Sequence, residues 1–169
     1  NSWKLGLVAL GAFLITQSNI LICSSYLGLD VTASYGITLQ LFSILTALSS
    51  TLYNVYFPEL NIAILYKNKY RIKKIITFGV LVNWVVFISG SVFLILFAEL
   101  FLNMIQSNIN LLPLNLLIFM AVFLFLENNH AMFSTFITSE NRVPFVTSSI
   151  ISGISVFLLS IISVNYTHL

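Results

Sequence analysis

From Ile75 to Ala98 the chain carries no charged residue, and single apolar runs in it exceed 20 residues. About 18 apolar residues in a helix are enough to cross a hydrocarbon core roughly 30 Å thick. Inside lipid, only a helix or a closed barrel satisfies its own backbone polar groups. Runs of this length therefore read as spanning helices. Only 7% of the residues are charged while 59% are apolar. Soluble domains carry about 25% charged residues, so this chain lacks the polar surface to cover a water-facing globule. Its polar residues are mainly Ser, Thr and Asn, which a helix carries in lipid by bonding them to its own carbonyls. The expected fold class is all-α, a polytopic transmembrane helical bundle, read as a single transmembrane domain over residues 1–169.

Five spans are expected, at about residues 5–27, 31–57, 75–102, 112–138 and 144–165. Gly28 suits a left-handed C-cap for the first helix. Asp30 suits the N-cap of the second, with its charge at the positive end of the dipole. Pro58 marks where that helix ends or kinks. Residues 59–74 set Leu60, Ile64, Leu65 and Ile72 among five basic residues, as an interfacial amphipathic segment would. Pro113 and Pro144 fall at the openings of the last two spans.

With five crossings, every Lys and Arg falls on one side: Lys4, the cluster Lys67, Lys69, Arg71, Lys73 and Lys74, and Arg142. Asp30 and Glu99 fall on the other. The positive-inside rule then puts the N-terminus of this chain in the cytoplasm. The opening Asn1-Ser2-Trp3, without Met, and the odd number of spans suggest a piece of a longer protein.

Against this apolar background, Glu127-Asn128-Asn129-His130 stands in the middle of the fourth span. An Asp or Lys at a helix centre costs about 2.5–3.5 kcal/mol on insertion scales, and Glu is of the same order. Glu127, His130, Ser134 and Thr138 share one helical face. They read either as a solute-contacting or proton-coupling site or as a hydrogen-bonded knot between helices. Asn128 is the amide beside them. The first span breaks at Thr16, Gln17, Ser18 and Asn19 at the same depth, the second offers Gln40 and Asn54, and the third offers Asn83. Converging, Gln17, Asn19, Gln40 and Asn83 would join Glu127, Asn128 and His130 in a cavity of amides and hydroxyls suited to sugars. Each amide alone also reads as an interhelical hydrogen bond. Ser43, Ala47 and Thr51 in the second span, and Ser148 and Ser152 with Ser149 and Gly153 in the last, are small-residue patterns that let helices approach.

The 67–74 cluster reads chiefly as a lipid-facing patch on the anionic leaflet, with a diphosphate-headgroup surface as the alternative. It abuts the membrane and belongs to no folded basic domain, which argues against nucleic acid. Cys23 is the one cysteine, so no intrachain disulfide is expected, and it suits packing. No phosphate-cradling glycine loop, metal-spaced His/Cys set or carboxylate pair is present, so neither an enzyme nor a metal or other cofactor is expected.

The stretch from Asn19 through Tyr26-Leu-Gly-Leu-Asp30 to Tyr35-Gly36 and Gln40 resembles a helix hairpin of polysaccharide flippases of the multidrug/oligosaccharidyl-lipid/polysaccharide exporter superfamily. Phe57-Pro58-Glu59-Leu60 with its basic continuation resembles the cytoplasmic end of that hairpin, and Thr138-Ser-Glu-Asn-Arg142-Val-Pro144 a later short loop. The resemblance implies an O-antigen flippase of the Wzx type in the bacterial inner membrane, with about twelve helices in two related halves. It implies alternating access for an undecaprenyl-diphosphate-linked oligosaccharide of lipopolysaccharide biosynthesis. Membrane lipids, a coupling ion and other O-antigen assembly proteins are its implied partners. A drug or metabolite antiporter of the same superfamily, and a non-transporting structural subunit, are the alternatives.

Overall fold

The computed structural model of the chain describes residues 2–104, 111–139 and 143–167. It is helical throughout: α1 (Ser2–Tyr26), α2 (Leu29–Asn54), α3 (Phe57–Leu65), α4 (Lys69–Met104), α5 (Leu114–Thr138) and α6 (Val146–Thr167). All but α3 are long and apolar enough to cross a membrane, which gives five candidate spans among the described residues. This is the expected all-α transmembrane architecture. The helices group into two compact units, one of residues 1–36 with 141–169 and the other of residues 37–140. Composition alone reads as one domain.

In the first unit, α1 and α6 pack along each other. Ser149 Oγ donates to the Val8 carbonyl at 3.2 Å and Ser160 Oγ to Asn19 Oδ1 at 3.1 Å. The sequence offset is the same at both bonds, so the two helices run parallel. Parallel first and last spans require an odd number of crossings, in agreement with five. Glycine sets the spacing between them. A Cβ built on Gly11 would meet the Ser149 carbonyl oxygen at 2.5 Å, and one on Gly153 would meet the Gly11 carbonyl oxygen at 2.8 Å. Ser149 and Gly153 thus act as a close-approach pair, whereas Ser148 and Ser152 of the same expected pattern are exposed.

In the second unit, the inward face of α2 carries Thr38, Phe42, Leu45 and Ser49, all buried. Phe42 and Leu45 form a core with Phe87 and Ala98 of α4 and Leu117 of α5. The expected small-residue stripe of α2 does not pack: Ser43, Ala47 and Thr51 are exposed. In lipid the helix is apolar all round, so small size alone does not select the buried face.

Gly28 has φ +87°, the left-handed turn expected between α1 and α2. Asp30 lies in the first turn of α2, just inside the helix rather than at its N-cap. The charge still meets the positive end of the dipole. The expected amphipathic segment at 59–74 divides differently. Pro58 starts α3 instead of only ending α2, because it is tolerated where no intrahelical N–H bond is due. Lys67 has φ +53°, its N–H bonds the Ile64 carbonyl at 3.0 Å, and the Asn68 N–H bonds the Ala63 carbonyl at 3.0 Å. That paired pattern is a Schellman closure of α3. Asn68 then caps α4, its Oδ1 accepting from the Arg71 N–H at 3.1 Å. The third span therefore starts at Lys69 rather than near Ile75, and the basic residues are its first turns.

Candidate functional site

Asn128 organises the polar interior of the second unit. It is 2% exposed. Its Nδ2 donates to Asn83 Oδ1 on α4 at 2.9 Å and to Ser49 Oγ on α2 at 3.1 Å. One amide thus ties α5 to both neighbours. Asn83 is fully buried, and its Nδ2 has no hydrogen-bond partner. One residue along each helix, Trp84 Nε1 donates to Asn129 Oδ1 at 2.6 Å, and Asn129 Nδ2 donates to the Phe125 carbonyl at 2.7 Å. Trp84 and Phe87 close over the Phe125 ring, with centroids 6.1 and 5.7 Å away. Asn128 and Asn129 are therefore committed to helix–helix contact.

Glu127 and His130 are not part of that knot. Both are exposed, on the side of α5 away from Asn128. Successive residues on a helix turn by about 100°, so neighbours in sequence separate at once. Counted from the ends of α5, Glu127 lies roughly 20 Å from Leu114 and 17 Å from Thr138, close to mid-span. Ser134 and Thr138 continue the same stripe and are half-buried. Thr138 turns its hydroxyl back to the Thr135 carbonyl at 2.9 Å.

No protein family, curated protein or solved structure matches this chain. The site therefore rests on its own geometry.

Of the residues expected to line one cavity, Asn83 and Asn128 meet within the second unit. Their third partner, Ser49, is not a residue that the sequence singles out, although its spacing from Thr38, Phe42 and Leu45 marks the buried face of α2. Gln40 is exposed on α2, as is Asn54. Gln17 and Asn19 belong to the other unit. There Gln17 is exposed, while Asn19 spends its amide on the Ile15 carbonyl at 2.8 Å and accepts from Ser160. Ser18 bonds the Leu14 carbonyl and Thr16 the Ala12 carbonyl. The polar break in α1 is thus largely absorbed within α1 and α6. Among the described residues, no three of His, Cys, Asp and Glu group as metal ligands would.

The basic cluster lies where α3 meets α4, and Lys67, Lys69, Arg71, Lys73 and Lys74 are all exposed. Arg71 reaches back to α3, placing Nε and Nη2 at 3.0 and 2.9 Å from Glu59 Oε1. An exposed pair of this kind contributes about 0–1 kcal/mol. Beside it, Leu60, Ala63 and Ile75 form a second small core. Tyr53, just past the apolar span of α2, is buried against Phe136. Arg142, with Glu140 and Asn141 of the later loop, lies outside the described residues, as do residues 105–110 of the loop before α5.

Proposed function

We propose that this chain is part of a membrane transporter that passes a polar solute along the exposed face of α5, with Glu127 and His130 bordering the passage. The observation that carries this reading is a division of labour within four consecutive residues. Asn128 and Asn129 hold helices together, whereas Glu127 stands exposed at mid-span and forms no ion pair among the described residues. A carboxylate facing lipid there would cost about 2.5–3.5 kcal/mol. A wet passage removes that cost, and no ion pair among the described residues offsets it.

The cargo that fits best with the sequence resemblance is an undecaprenyl-diphosphate-linked oligosaccharide. In this reading the chain serves an O-antigen flippase of the bacterial inner membrane. The glycan crosses through the hydrophilic interior by alternating access, and the polyprenyl tail stays in lipid. The basic end faces the cytoplasm. An acid and an imidazole on one helical face support coupling to an ion, with Glu127 as the group that takes it up. The amide-rich knot around Asn128 is the specific support for the rival reading, a structural membrane subunit.

Complementation separates these readings. The full-length gene, expressed in a flippase-deficient strain, is expected to restore surface O-antigen, and Glu127→Gln at matched protein level to reduce it severely. Drug resistance without glycan rescue would favour an antiporter. Unchanged output from Glu127→Gln would remove the residue from the mechanism.

A further inference from the structure

We infer that the groove between α3 and the first turns of α4 is a binding site for the phosphodiester headgroup of an anionic phospholipid. The groove has a volume of about 410 Å³ and is lined by Tyr56, Glu59, Asn68, Tyr70, Arg71 and Lys74, with Ile75 and Phe78 at one end. That volume falls within the ~300–1,000 Å³ usual for small-ligand sites.

Charge selects the ligand. Arg71 and Lys74 contribute two positive charges and Glu59 one negative, leaving one positive charge in excess among the lining residues. A phosphodiester carries one negative charge, so it neutralises the groove without overshooting. Arg71 is already held by Glu59, which fixes its guanidinium at the groove wall with other N–H groups still available. Lys74 forms no ion pair among the described residues. The Arg71 N–H is already taken by Asn68 Oδ1.

Depth and polarity select a lipid over a soluble ester. At 1.5 Å per residue, α4 is roughly 54 Å long, well beyond the ~30 Å hydrocarbon core, so its basic start stands at headgroup level. The lining changes from cations to Ile75 and Phe78 along the direction in which acyl chains would run. Tyr56 packs edge-on against Phe78, with centroids 5.4 Å apart. Tyr70 is 79% exposed, as expected of an aromatic ring at the interface. This inference does not depend on what the protein transports.

The test is native mass spectrometry of the purified protein titrated with dioleoylphosphatidylglycerol, dioleoylphosphatidylcholine and free glycerol 3-phosphate. The wild type is expected to bind phosphatidylglycerol several-fold more tightly than phosphatidylcholine. Lys74→Gln should weaken that binding about fivefold, the worth of one interfacial cation. Lys73→Gln, on the same turn but outside the groove lining, should leave it unchanged. Both lysines are exposed, and circular dichroism is the check that helicity is kept. Equal losses in the two variants would show a diffuse charge effect and overturn the site. Binding of glycerol 3-phosphate as tight as that of the lipid would overturn the assignment to a lipid.

Discussion

Glu127 and Asn128 are consecutive in sequence, yet Asn128 is buried in the contact of α2, α4 and α5 while Glu127, about 100° round α5, is exposed. The two residues should therefore respond to substitution in opposite ways.

Asn128→Leu removes the amide that serves both Ser49 and Asn83. Interhelical hydrogen bonds in membranes average about 0.6 kcal/mol and reach about 1.7, so losing both should cost roughly 1–2 kcal/mol. Thermal unfolding in detergent should show a lower midpoint for Asn128→Leu and nearly no change for Glu127→Gln. A large shift for Glu127→Gln would mean that its carboxylate holds the fold.

Gly11 faces backbone atoms of α6 that cannot give way. Gly11→Leu should separate α1 from α6 and lower the unfolding midpoint markedly. Gly6→Leu, on the same helix with nothing within 4 Å of a built Cβ, should be close to neutral. Equal effects would refute the close approach.

Lys67 holds a left-handed backbone conformation that costs a non-glycine residue about 1 kcal/mol. Lys67→Gly should raise stability by a similar amount, and Lys67→Val should lower it, as read by chemical denaturation.

Much of the fold was legible in the sequence because spanning length is a one-dimensional property. Five apolar runs follow from it, and the turn at Gly28 follows from the left-handed conformation that glycine favours. The start of α4 was not legible. Four cations at the positive end of a helix dipole, Lys69, Arg71, Lys73 and Lys74, run against the usual preference. Only the Asn68 cap and the Glu59 contact with Arg71 show how the end is satisfied. The buried faces were not legible either. A helix that is apolar all round shows no amphipathic stripe, so nothing in the sequence told that Asn128 turns inward and Glu127 outward, or that Ser49 completes the knot.

The most direct measurement is thiol accessibility at mid-span in a Cys23→Ser background, with the protein in native membranes. Glu127→Cys should react with a charged, membrane-impermeant methanethiosulfonate reagent, while Val122→Cys and Phe133→Cys, exposed on α5 well away from the Glu127 stripe, should stay unlabelled. Protection of Glu127→Cys to the same degree as Val122→Cys would contradict a wet passage along α5.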